Sequence, residues 1–215
     1  MAEFVIESPT SHATLGIRFG GDYSELCIGD RPLALTWSIS DGSIMDHLIR
    51  CDHPDGVAHL KIFRDSLLGC PDEAAILDFA RSILAAGVYR TLVTDFYQVD
   101  ACLTECSLDA AHPTVFYGGG FSLVTTLPDS ELSETRVSHY EQMILAGQRP
   151  LAVALCCYDH TNHQPTTAFL IDGHHKVAAY QRCRLYSHVL VIARCDPPAP
   201  TQAYPSAFAA SRLLP

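Results

Sequence analysis

The chain has 215 residues, a formal net charge of −10 and only 18% charged residues, with 14 Lys and Arg in all. Sparse, scattered basic residues argue against a phosphate-backbone footprint, and so against nucleic acid as the partner. Hydrophobic residues make up 48% of the chain, enough to bury a core and to exclude wholesale disorder.

Nine cysteines stand at positions 27, 51, 70, 102, 106, 156, 157, 183 and 195. They include no C-x-x-C pair, and their spacing lacks the regularity of a disulfide framework. The start, MAEFVIESPT, has neither a basic n-region nor an apolar h-region. No apolar run approaches the ~20 residues that span a bilayer. The expectation is a cytoplasmic protein with free, buried thiols and no membrane partner.

In chain order, residues 4–37 alternate apolar and polar between Gly-rich turns, which predicts short strands and hairpins. Ser43–Arg50 reads as one or two helical turns, and Val57–Arg64 as a strand. Asp72–Ala86 carries Ala75, Ile76, Phe79, Ile83 and Leu84 at amphipathic-helix spacing, with Pro71 before it and Gly87 as a stop. Tyr89–Tyr97 and Thr114–Leu127 have strand propensity, the latter interrupted by Gly118, Gly119 and Gly120. After Pro128 a helix is expected, closed by Gly147 and Pro150. Leu151–Tyr158 is a continuous apolar run, as a strand buried on both faces should be. A polar turn over 159–166, a strand over 167–171, a helix over 174–184 and a strand over 188–194 follow. The Pro-rich tail reads as an extended arm.

The strongest chemical signal is the strand–turn–helix stretch Asp172-Gly173-His174-His175-Lys176. Gly173 permits a tight turn and close backbone approach. The first N–H groups of the following helix lack intrahelical partners and sit at the positive end of its dipole. Two imidazoles and an ammonium crowd into that first turn, making an anion site whose natural occupant is a nucleotide or phosphate ester. Imidazoles near neutrality can also move a proton or align a phosphoryl group. The plain alternative is a capped structural turn. Cations oppose the dipole there, a local rule broken without evident structural benefit, and that raises the functional reading.

At this turn the chain resembles the ParB/sulfiredoxin superfamily. The ordered context is Glu141–Gly147, Pro150, Leu151–Cys157, Thr167–Ile171, Gly173-His174-His175-Lys176-Val177-Ala178-Ala179 and Val189–Ile192. The catalytic cysteine of sulfiredoxins is replaced by His174, so sulfinic-acid reduction is not implied. No basic helix-turn-helix accompanies the turn, so chromosome partitioning is not implied either. The spelling is most similar to the ADP-dependent free serine kinases. That resemblance implies phosphate contacts from Asp172, Gly173, His174, His175 and Lys176, with Arg136 where members often place a phosphate-contacting arginine. It further implies a nucleotide (ATP, ADP or CTP) bridged by Mg²⁺. Lys176 replaces the family's usual Arg with a point charge.

A kinase-like site needs a carboxylate to orient or deprotonate the acceptor hydroxyl. Glu131, Glu134 and Glu141 are the candidates, with Glu141 joined to His174 and His175 as the catalytic set. Lys176→Met is expected to weaken phosphate binding while changing stability by less than ~1 kcal/mol, as for an exposed side chain.

Other constellations carry less. His160 and His163, with His174, are the ligands of a metal-enzyme alternative. Cys156 and Cys157 should point to opposite faces of their strand. Cys51-Asp52-His53 reads as a loop with a free thiol, and Trp37 as core.

The sequence therefore predicts an α/β protein (α+β, mixed sheet) in three parts. These are an α+β region over 1–113, a ParB/sulfiredoxin-like unit over 114–196 and an arm over 197–215. The leading function is nucleotide or phosphate-ester binding, with phosphotransfer to a small hydroxyl-bearing acceptor as its catalytic form. The rivals are a non-enzymatic binding or interaction protein retaining the scaffold, and the His-dependent metal enzyme.

Overall fold

The computed structural model describes residues 2–6, 14–20, 23–41, 44–51, 60, 73–109, 114–117, 121–160 and 164–200. They form an α+β fold built on two sheets. The five-stranded sheet is antiparallel throughout, in the order β2 (Leu15–Gly20), β3 (Tyr23–Ile28), β4 (Arg31–Asp41), β5 (Ile44–Cys51) and β8 (Thr114–Tyr117). The second sheet is mixed. Its path runs β1 (Ala2–Ile6), β6 (Gly87–Phe96), β13 (Ser187–Arg194), β10 (Ala152–Asp159), β12 (Ala168–Asp172), β9 (Leu123–Thr125) and β7 (Ala101–Cys102). The two-residue β11 (Gln164–Pro165) pairs with β10 off that path.

The described residues also include the helices α1 (Glu73–Ile83), α2 (Glu134–Leu145) and α3 (His174–Arg182), with 3₁₀ turns at Leu103–Glu105 and Asp129–Glu131. Of these, none is long and apolar enough to cross a membrane.

The apolar run of β10 explains the layering. Val153, Leu155 and Cys157 face Leu15, Ile17, Leu26, Leu33 and Ile49 of the five-stranded sheet, together with Ile76, Ala80 and Ile83 of α1. Ala152, Ala154 and Cys156 turn the other way, toward Val177 of α3. A strand clothed on both faces must be apolar at every position. A third cluster, Val137 and Ile144 with Ala179 and Tyr180, seats α2 on α3.

The line at 113/114 does not separate these layers. β6, from the first part, lies between β1 and β13, and β8, from the second, completes the sheet begun by β2. The arm is also tied in: Phe19 N–H donates to the Pro198 carbonyl at 3.0 Å.

Ser43–Arg50 differs from its helical expectation. It lies almost wholly in β5, which pairs residue by residue with β4 from Ala34↔Cys51 to Asp41↔Ile44. An 11-residue partner strand supplies the cross-strand packing that a short local propensity cannot outweigh. The expected strand over 57–64 lies outside the described residues except for Leu60, which is fully buried and helical, not extended. Gly118, Gly119, Gly120, His53 and the tail from 201 lie outside them as well.

None of the eight described cysteines forms a disulfide. Burial pushes the Cys27 thiol up to about 11 and the Cys106 thiol up to about 12. Cys51 is buried in the core, which removes it as a nucleophile. Cys156 and Cys157 do face opposite sides of β10.

Candidate functional site

Helix α3 begins directly at the end of β12. Gly173 is its N-cap, with φ +91°, and no side chain caps the helix start. Only glycine fits this position. A Cβ there would lie 2.6 Å from the Ala152 Cβ and 2.8 Å from its Cα, in a backbone region that L-residues avoid. Close packing of α3 on β10 thus dictates the residue.

The three side chains that follow are engaged by the fold itself. His174 is 4% exposed, and its Nε2 receives the Thr126 N–H at 3.2 Å. The Thr126 Oγ1 is 3.1 Å from the same nitrogen and 3.0 Å from the Leu170 carbonyl, to which it donates. His175 Nε2 accepts the Ser133 N–H at 3.0 Å, at the N-cap of α2. Lys176 Nζ donates to the Leu151 carbonyl at 2.7 Å, sits 3.5 Å from Asp172 Oδ2 and lies 5.8 Å above the Tyr140 ring. Asp172 is itself buried beside that ammonium. Lys176 is therefore no freely exposed cation: its side chain is 17% exposed and it satisfies a backbone carbonyl. The expectation that Lys176→Met leaves stability nearly unchanged is corrected accordingly.

The carboxylates singled out in the sequence are not gathered at this turn. Glu134 grips Arg182 through both oxygens, at 2.5 and 2.7 Å, and that guanidinium holds its carboxyl below the usual range. Glu141 lies within electrostatic range of Arg182 and Cys183, at the opposite end of α3 from His174 and His175. Glu131 is exposed in the 3₁₀ turn Asp129–Glu131. Arg136 is half-buried on α2, three residues beyond the Ser133 that His175 holds.

The histidine metal set is separated by the length of a strand. Asp172 pairs with Val153 near the start of β10, which puts His174 at that end. His160 follows the other end of β10 and donates to the Cys195 carbonyl at 2.7 Å. Eight residues of strand span roughly 25 Å. His163 lies outside the described residues. Among those described, no three His, Cys, Asp or Glu side chains gather so as to hold a metal ion.

A cleft of about 260 Å³ runs along α3 beside the turn. His174, Val177, Ala178 and Gln181, a single helical stripe, form one wall. The loop after β9 contributes Leu127, Asp129 and Leu132. The far wall comes from residues 99–105, including Asp100, Cys102 and Glu105. Asp100 is held in place by accepting the Leu123 N–H at 2.8 Å. Among the described residues, no Lys or Arg lines the cleft.

The sequence reading missed this acidic wall. Residues 99–105 carry no motif, and they reach α3 only because β7 pairs with β9, and β9 with β12. No family model, curated protein or solved structure matches this chain.

Proposed function

We propose that this chain binds a nucleotide or another phosphate ester, carried in with a divalent cation, in the cleft along α3. The observation that supports the reading is the polarity of the cleft. One end adjoins a helix start with no side-chain cap, where phosphate oxygens are favoured. The far wall carries Asp100 and Glu105, which would repel a bare polyanion but favour one bearing Mg²⁺. Such an ion is held largely by phosphate oxygens and water, with one or two carboxylates completing its shell. That agrees with a cleft whose carboxylates do not gather into a metal site of their own.

In the catalytic form of this reading, an acceptor hydroxyl attacks phosphorus, the bond to the leaving oxygen breaks, and a cleft carboxylate takes the hydroxyl proton. Asp129 or Glu105 replaces Glu141 in that role, because both line the cleft. The ParB/sulfiredoxin resemblance and its kinase branch belong to the same proposal.

A second reading is favoured by the internal engagement of His174, His175 and Lys176. In it the turn is a structural clasp, and the protein is a non-enzymatic binding module that keeps the scaffold.

Titration calorimetry with ADP, ATP and CTP, each with and without Mg²⁺, separates the two. The first reading expects heat only with Mg²⁺, and a loss of about tenfold or more in affinity in the double variant Glu105→Gln, Asp129→Asn. No heat with any nucleotide or sugar phosphate would leave the second reading standing.

A further inference from the structure

Helix α3 ends on a residue that its backbone does not favour. Arg184 takes φ +56°, the left-handed conformation that glycine adopts readily. There Arg184 N–H donates to the Gln181 carbonyl and Leu185 N–H to that of Tyr180, closing the helix. Gly147 makes the same closure for α2 at φ +83°, so the closure itself needs no arginine. The Arg184 side chain is exposed, and among the described residues its guanidinium has no hydrogen-bond or ion-pair partner. A strained residue with no local compensation points to something its side chain meets. The surface beside it is apolar and open. Leu185 and Tyr186 are 50% and 55% exposed, and the Tyr186 ring leans on that of Tyr97, itself 72% exposed, with centroids 5.4 Å apart. Leu185 and Tyr186 also line a cavity of about 280 Å³, together with buried Ile144 and Tyr180. The helix-end motif accounts for an apolar residue at 185 but not for the two tyrosines.

We propose that this end of α3 docks an acidic segment of a partner protein, which places an apolar side chain in the cavity and a carboxylate on the Arg184 guanidinium. Exposed apolar groups beside tyrosine and arginine have the composition of a protein-binding patch. Small molecules are largely enclosed by their sites, whereas Tyr97 and Tyr186 stand more than half in solvent and suit the broader surface of a polypeptide. The charge selects the partner. Asp95, at the rim of the cavity, is already answered by Arg149 at 2.7 Å and by His188 Nδ1 at 2.8 Å. Arg184 therefore leaves the patch with an unmatched positive charge, on a chain whose formal net charge is −10. The planar fork of arginine takes a carboxylate through two parallel hydrogen bonds, which gives a reason for arginine where glycine would be unstrained. A second copy of this chain fits less well, because a two-fold pairing would bring the same positive patch against itself. The docking is independent of the cleft along α3, whose lining shares no residue with this cavity.

A library of random peptides displayed on phage and selected on the full chain supplies the probe. The winners should pair Asp or Glu with an aromatic or branched apolar residue, and should be lost when the selection is repeated on Arg184→Gly. A winning peptide, fluorescently labelled, is then titrated against each variant by anisotropy. Its Kd should rise about tenfold or more in Arg184→Gly and in Tyr186→Ser. It should stay within about twofold in the cleft variant Glu105→Gln, Asp129→Asn, and binding should weaken with added salt. Arg184→Gly relieves the strained φ, so its loss of binding is not a loss of fold. No enriched peptide, winners without acidic residues, or affinity indifferent to Arg184→Gly would each overturn the proposal. So would a concentration-dependent dimer in sedimentation that Arg184→Glu dissolves, since the occupant would then be a second copy.

Discussion

The two walls of the cleft use their polar groups in opposite ways. On α3, nearly every polar group of the first turn is bonded inward: His174 to Thr126, His175 to Ser133, Lys176 to Leu151 and Asp172. Across the gap, Glu105 of the acidic wall stands exposed, as does Asp129 on the loop after β9, while Asp100 is fixed by a backbone N–H. One wall holds the fold together, and the other leaves its carboxylates to solvent. Residues that look most like a site in the sequence can thus be the ones that build it, while the groups facing the solvent come from a stretch without any motif.

The largest expected effect is on the structural wall. Gly173→Ala forces a positive φ on a residue with a Cβ and drives that Cβ into Ala152. Strain of ~1–2 kcal/mol and overpacking of ~1–3 kcal/mol together give about 2–5 kcal/mol of destabilisation, read by denaturant unfolding. A loss under ~1 kcal/mol would mean that α3 can move off β10 and that the wall is less rigid than described.

Lys176→Met comes next, at about 1–3 kcal/mol, because the Leu151 carbonyl loses its ammonium donor while the apolar stem is kept. Thermal melts of the variant check this. A neutral outcome would return Lys176 to the ligand-facing set.

Arg184 sharpens the comparison from outside the cleft. It is the only described non-glycine residue with positive φ, at 56°, and it ends α3. Arg184 N–H reaches the Gln181 carbonyl and Leu185 N–H reaches that of Tyr180, the double bond that glycine normally hosts at a helix end. Gly147 hosts the same pattern at the end of α2, with φ +83°. Arg184→Gly is expected to raise stability by about 1 kcal/mol, seen as a higher Tm with ligand binding unchanged. The smallest stability effect belongs to the open wall. Glu105→Gln with Asp129→Asn should leave unfolding free energy within ~0.5 kcal/mol while changing ligand affinity, so the two walls respond to opposite assays.

Much of the C-terminal half is legible in the sequence because its signals are local. The unbroken apolar run at 151–158 requires a doubly covered strand, Gly147 and Pro150 close α2, and Gly173 opens α3. The site is harder to read for the opposite reason. Hydrogen-bond partners of His174 and His175 lie 48 and 42 residues away, and no spacing rule connects them. Asp100 and Glu105 reach the cleft through strand pairings of two residues each, below what periodicity can detect. The misread stretch at Ser43–Arg50 belongs to the same class, since it is a strand only because β4 is there to receive it.

The position of β13 has a consequence for how the molecule is made. Among the described residues it is the final strand in chain order, yet it sits inside the mixed sheet, between β6 and β10. Until residues 187–194 leave the ribosome, β6 and β10 each expose an unpaired edge, with some 90 residues of chain between β6 and β13 and some 27 between β10 and β13. Completion of the sheet is therefore a late, long-range event. Until then the nascent chain carries two open strand edges that another chain could pair with, and any truncation before Ser187 would leave those edges open permanently.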